Sequence, residues 1–228
     1  CTIENTSVSV DVYGSNAGGF VGINKNQLSI NENCYYGETS DTSACGVYGY
    51  TSSGGMVGTQ SAAVTISRSA VKNATIGIPA AKNGDAGIGG YVGIKANGDL
   101  KITDCEVNNV TLSAEDKSNG AGAGGVIGHN DGGNTYAYDI LINKLGYARG
   151  NNSVSVSNLI GWNKDKNLSS KFIGVSVNNT DCLPDIQYDD SQIPTNFTAV
   201  HTDYNGVQNN TQNIGEGSGT HVDIYSPY

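Results

Sequence analysis

Basic residues are scarce in this chain of 228 residues. Lys and Arg number 12 against 21 Asp and Glu, a net charge of −9, and the arginines are Arg68 and Arg149 alone. That balance removes the basic footprint on which nucleic-acid binding depends. Of the four prolines, three (Pro184, Pro194 and Pro227) fall after residue 180. So little proline, with glycines not spaced in threes, excludes collagen. No apolar run reaches the length of about 18 residues that a membrane-spanning helix needs. No basic segment followed by an apolar stretch opens the chain in the manner of a signal peptide. Leucine is rare beside valine and isoleucine, and no long segment has the 3.6-residue apolar period of an amphipathic helix. Charged residues make up 14% and hydrophobic residues 37%, which is not the composition of a disordered chain.

Catalytic signatures are missing too. The five cysteines, Cys1, Cys34, Cys45, Cys105 and Cys182, form no C-x-x-C pair, so a zinc or redox centre has no support. None of the histidines, His129, His201 and His221, lies at metal-ligand spacing from a cysteine or carboxylate. His129 follows Gly128 and reads as a turn residue. Neither Gly84-Asp85-Ala86-Gly87 nor Gly120-Ala121-Gly122 is followed by the Lys-Ser/Thr of a phosphate-binding loop, so both read as turns. No catalytic, cofactor-binding or metal-binding residue is therefore expected.

What the chain has is glycine, tyrosine and a repeat. Its 32 glycines are about twice the usual share, and 13 tyrosines stand against three phenylalanines, a balance suited to β-structure with wet outer faces. Gly18-Gly19-Phe20-Val21-Gly22 recurs as Gly54-Gly55-Met56-Val57-Gly58, Gly89-Gly90-Tyr91-Val92-Gly93 and Gly124-Gly125-Val126-Ile127-Gly128, in steps of 36, 35 and 35 residues. A worn fifth copy reads Asn158-Leu159-Ile160-Gly161. Two residues after each closing glycine stand Asn24, Gln60, Lys95, Asn130 and Asn163. A second apolar alternation follows in Leu28/Ile30, Val64/Ile66, Leu100/Ile102 and Ile140/Ile142. Cys34 and Cys105 each lie 15 residues after the second glycine of their copy, where the second copy has Ala70.

Each unit thus holds about three short strands with period-2 alternation between Gly/Asn/Ser-rich turns. A fixed period in this range predicts a solenoid or a propeller, and propeller blades need four strands and about 40–45 residues. The expectation is an all-β, right-handed, single-stranded parallel β-helix of the pectin-lyase-like kind, about five coils over residues 1–182, with an irregular C-terminal cap or transition segment at 183–228. Equivalent residues would then stack at the inter-strand distance of about 4.8 Å. The β-branched column Val21/Val57/Val92/Ile127/Ile160 is expected in the core. The column Phe20/Met56/Tyr91/Val126/Leu159 is expected outside or at a corner, because neighbours in a strand face opposite ways. The amides are expected to bond from coil to coil. Cys34 and Cys105, two coils apart, are too far for a disulfide, whereas Cys1 and Cys34 would occupy neighbouring coils within reach of one; the alternative is that the thiols are small buried core residues.

The run Gly18 to Asn24, then Leu28-Ser29-Ile30 and Asn33-Cys34-Tyr35, resembles the GLUG-type repeat, and residues 89–107 resemble it again. The likeness covers roughly residues 1–180. It implies a β-helical region of a large bacterial surface protein, adhesin-like, extracellular and part of a longer chain.

Function follows from shape in such a protein, because a solenoid offers long faces and stacked loops. The loops around 36–53, 79–88 and 113–123 are expected on one side. Tyr35, Tyr36, Tyr48 and Tyr50 are the candidate residues for stacking on sugars. The reading is a non-catalytic adhesin or stalk module, with carbohydrate or a host or matrix protein as partner, no nucleic acid and no membrane insertion. The alternatives are a β-helical polysaccharide lyase or hydrolase, with Asp99, Asp104, Asp131 and Asp139 gathered on one side, and a purely structural spacer. The tail carboxylates Asp181, Asp185, Asp189, Asp190 and Asp203 lack the loop pattern of a Ca²⁺ site. Two strand-like patches remain in the tail, Phe197–His201 and His221–Tyr225.

Overall fold

The structure, a computed structural model, describes residues 2–4, 8–9, 16–37, 45–79, 86–114, 121–149, 154–164, 170–173, 175–178 and 222–225. All regular structure among them is β-strand, and every strand pair is parallel. The chain winds as a β-solenoid of about four turns. The cap proposed from the sequence falls almost wholly outside the described residues. Val222–Tyr225 is within them and lies parallel to Ser170–Ile173.

Three sheets run along the axis. A glycine-rich sheet stacks Asn16–Gly18, Ser52–Gly54, Gly87–Gly89, Ala121–Gly124 and Val154–Ser157. An amide sheet stacks Val21–Asn24, Val57–Gln60, Val92–Lys95, Ile127–Asn130 and Ile160–Asn163. A larger sheet takes the rest of each coil, from Leu28–Asn31 and Tyr35–Gly37 in the first to Leu100–Ala114 and Thr135–Arg149 in the third and fourth.

The repeat has a packing reason. A Cβ on Gly54 would stand 2.7 Å from the Gly93 nitrogen, one on Gly89 2.9 Å from Gly128 N, and one on Gly124 2.5 Å from Gly161 N. The first glycine of one copy therefore meets the last glycine of the next across two sheets that touch backbone to backbone. Only a residue without a Cβ allows that approach.

Val21, Val57, Val92, Ile127 and Ile160 form one in-register column, buried from Val57 onward. The companion column does not lie outside as alternation suggested: Met56, Tyr91, Val126 and Leu159 are buried in the same core. The cause is the corner between the glycine and amide sheets, where residues 55–56, 90–91, 125–126 and 158–159 bend out of both strands. The amides of Met56 and Val57 both bond to the Tyr91 carbonyl, at 3.0 and 2.9 Å, and those of Tyr91 and Val92 both bond to Val126 O, at 3.1 and 3.0 Å. Period-2 alternation holds only within a strand, so at this bend consecutive side chains turn inward together.

Turn length also shifts two columns. The amide-sheet strand Val57–Gln60 pairs with Val92–Lys95 at an offset of 35, but Val64 pairs with Leu100 at 36. The turn at 61–63 is one residue shorter than that at 96–99. Because Ala70 pairs with Glu106 and with Tyr35, the residue between Cys34 and Cys105 is Ser69 and not Ala70. In the fourth coil Thr135 and Ala137 continue the Leu100/Ile102 columns, while Ile140 and Ile142 stack on Cys105 and Val107.

Two corners interrupt the long strands. Arg68, Asp104 and Asp139 adopt φ of 46, 53 and 53°, and the register of their neighbours stacks them in one column. Asn73, Asn109 and Lys144, at 48, 53 and 51°, make a second. Left-handed backbone at non-glycine residues is uncommon; repeated at one place in every coil, it turns each strand twice.

Candidate functional site

Between the two corner columns the large sheet presents an open trough of about 640 Å³, reaching from the first coil to the third. Along its floor Tyr35, Ala70 and Glu106 are in register, and all three are partly exposed, whereas their neighbours Tyr36, Val71 and Val107 point into the core. Alanine at the middle position leaves a gap of two rungs, about 9.6 Å, between a phenol ring and a carboxylate. Arg68 and Asp104 from the first corner and Lys72 beside the second complete the lining.

The trough carries both signs of charge. Arg68 is paired across a rung with Glu32, and Lys72 with Glu106. The first pair is exposed and the second partly so, and each contributes little to stability while leaving donors and acceptors at the surface. The Tyr35 ring adds an apolar face with a polar tip.

The four tyrosines singled out by sequence separate. Tyr35 lines the trough. Tyr36 is buried in the core, and its hydroxyl donates to the Gly46 carbonyl at 2.9 Å, which removes it from any surface role. Tyr48 and Tyr50 are half-buried and do not line the trough. The loops expected to stack on one side lie in large part outside the described residues.

The aspartates form two groups instead of one. Asp104 and Asp139 are neighbours in the first corner column. Asp99 and Asp131 sit in turns after the amide sheet, where Asp99 Oδ1 accepts from Asn134 N at 3.0 Å. Asp131 Oδ1 lies 2.9 Å from His129 Nε2 and 3.2 Å from Lys164 Nζ. Burial alone would raise the Asp131 carboxyl, but the bond and charge of His129 and Lys164 outweigh it and hold it below its ordinary value. His129 itself is a fully buried strand residue and not a surface turn residue. The third position of the amide sheet is exposed at Ile23 and buried at Ile94 and His129, and the His129 ring lies 6.0 Å from that of Trp162. Among the described residues no three His, Cys, Asp or Glu are grouped to hold a metal. The tail carboxylates, His201, His221, Cys1 and Cys182 lie outside them. Cys34, Cys45 and Cys105 are buried and unbridged.

The polar column of the amide sheet is fully formed and buried. Its bonding is only partly from amide to amide. Asn130 Nδ2 donates to Asn163 Oδ1 at 2.7 Å. Gln60 instead turns to the Gly98 and Asp99 carbonyls of the next turn, at 3.2 and 3.1 Å, and Asn24 to Asn26 O and Ala62 O. Lys95 is the outlier of the column. Its ammonium stem is wholly buried, and Nζ donates to the Gly132 carbonyl and, at 3.4 Å, to Asn130 Oδ1. Burial pushes the amine down to about 7, against an opposing field from Asp99. Two further groups respond to burial: the Tyr91 phenol and the Cys105 thiol are both raised, the former well above its ordinary value.

Sequence reasoning missed Arg68, Lys72 and Glu106 as site residues. Arg68, Asp104 and Asp139 recur at the repeat spacing, which was the available sign of a corner. No family model, curated protein or solved structure matches the chain.

Proposed function

We propose that this chain is a non-catalytic module of an extracellular bacterial surface protein, an adhesin-like stalk of the GLUG-repeat kind that binds carbohydrate in the trough of its large sheet. One observation carries the reading: the gap above Ala70, flanked by the Tyr35 ring and the Glu106 carboxylate. A pyranose ring is of the width of that gap, and it needs an apolar face to stack on and both donors and acceptors for its hydroxyls. Tyr35 supplies the first, and Lys72, Glu106, Arg68 and Asp104 supply the second. A solenoid is well suited to this task, because its rungs repeat at a constant spacing along an extended polymer.

The test is a glycan array followed by titration of the best ligand. Tyr35→Ala should weaken binding at least about tenfold, the equivalent of about 1.4 kcal/mol, and Glu106→Gln by a smaller factor. Silence across the array would leave the spacer as the better reading. Release of shorter products from a polysaccharide would replace the binding module with an enzyme, for which the neighbouring Asp104 and Asp139 would be the first residues to substitute.

A further inference from the structure

We propose that Lys95 and Asn130 become joined by an isopeptide bond, a covalent rung between the third and fourth coils. The two residues are register partners on adjacent strands of the amide sheet, and neither is exposed. Lys95 Nζ lies against the Asn130 carboxamide, donating to its Oδ1 at 3.4 Å, so the amine is already held beside the carboxamide that it would attack. A lysine amine in such a place is an unusual choice. The other members of the column are amides, and among the described residues no carboxylate pairs with this ammonium. Burying a cation outside an ion pair is costly, and burial outweighs the field of Asp99 to favour the neutral amine, which is the nucleophilic form.

The step needs no co-reactant. Nζ attacks Cγ of Asn130, the bond from Cγ to Nδ2 breaks, and Nδ2 departs as ammonia. One amine proton leaves with it and the other stays on the new secondary amide. That N–H keeps a donor aimed at the Gly132 carbonyl, which Nζ already reaches. The product gives up the bond from Asn130 Nδ2 to Asn163 Oδ1 and replaces a buried amine with a neutral, hydrogen-bonded amide, so the burial that disfavours the ammonium favours the bond.

Intact-mass measurement of the purified full chain tests this directly. The folded protein, incubated at mildly alkaline pH, should be lighter than its sequence mass by one ammonia, and a protease digest should yield one branched peptide containing both Lys95 and Asn130. Lys95→Met and Asn130→Ala, each checked for a retained β-sheet spectrum, should show their full calculated masses. An Asn-Gly step such as Asn97-Gly98 can also lose ammonia by forming a succinimide. A deficit that mild base reverses, or that survives in Lys95→Met, overturns the proposal. So does a native chain that keeps its full mass.

Discussion

The Ser69 hydroxyl and the Cys105 thiol make the same hydrogen bond one coil apart. Ser69 Oγ donates to the Ser67 carbonyl at 2.8 Å, and Cys105 Sγ to the Thr103 carbonyl at 3.1 Å. Cys34, on the other side of Ser69, bonds to Asn31 O at 3.3 Å. The column is therefore one chemical position filled by either chalcogen. Ser69→Cys should fold with a change of less than about 1.5 kcal/mol, as near-isosteric swaps do. It should also create a disulfide that Cys34 and Cys105 cannot form with each other, because each neighbouring thiol is then one rung of about 4.8 Å away, inside the Cα range for a bridge, where Cys34 and Cys105 are two rungs apart. Peptide mapping after mild oxidation should find the new thiol bonded to Cys34 or Cys105. Recovery of all three as free thiols would mean that they do not share a column.

Glycine substitutions should be graded by position along the axis. A Cβ on Gly128 would stand 2.2 Å from Ile88 N and 2.6 Å from Gly93 O, both backbone atoms in the touching sheets. On Gly22, in the end coil, the nearest atom is Asn16 O at 2.9 Å. Gly128→Ala should therefore cost more than about 3 kcal/mol and Gly22→Ala about 1 kcal/mol, read from urea midpoints. Equal costs at the two positions would show that the contact between the sheets is not what selects glycine.

Much of this architecture was legible because the stacking repeats. The columns of Val57 and Gln60 could be counted off the sequence, since each rung preserves its neighbour's size and polarity. What could not be counted was conformation within a rung. The bend that turns Met56 and Tyr91 inward leaves no compositional trace, because an apolar residue is acceptable both in a core and at an outer corner. The left-handed corners hold Asp104, Asp139, Asn73 and Asn109, types enriched in that backbone, but Arg68 and Lys144 in the same two columns are not, so neither column shows a uniform signal. A turn at 61–63 one residue shorter than 96–99, and a first-coil corner at 32–34 one residue longer than 68–69, moved Ser69 into the place first given to Ala70. The trough depends on the corners and on the register that puts Ala70 between Tyr35 and Glu106. Tyr35 was therefore found as a tyrosine and not as part of a site.

Tyr35 and Tyr36, adjacent in sequence, should respond in opposite ways. Tyr36 is buried, and its hydroxyl bonds to Gly46 O at 2.9 Å. Tyr36→Phe should lose about 1 kcal/mol for the unpaired carbonyl, and Tyr36→Ala about 3–5 kcal/mol for the cavity. The outward-facing Tyr35→Phe should stay within about 0.5 kcal/mol of the native chain. Thermal or urea unfolding of the three variants checks the ordering; a Tyr35→Phe change as large as that of Tyr36→Phe would place both rings in the core.

Asp131 should make stability depend on acid in a defined direction. Its carboxyl is held below the ordinary value by His129 and Lys164, so the folded state prefers the carboxylate more strongly than the unfolded chain does. A group depressed in this way contributes stability in full above its unfolded pKa, about 3.9, and loses it as pH falls through the lower folded value. Asp131→Asn should therefore be less stable than the native chain at pH 7, by about 1 kcal/mol for a partly exposed pair. The gap should narrow as both are titrated below about pH 4, where the native carboxylate takes up its proton. Urea midpoints for the two chains at neutral and at acid pH decide it. A difference that is the same at both ends would mean that Asp131 acts through packing or neutral hydrogen bonding, with its charge contributing nothing to the stability of the turn.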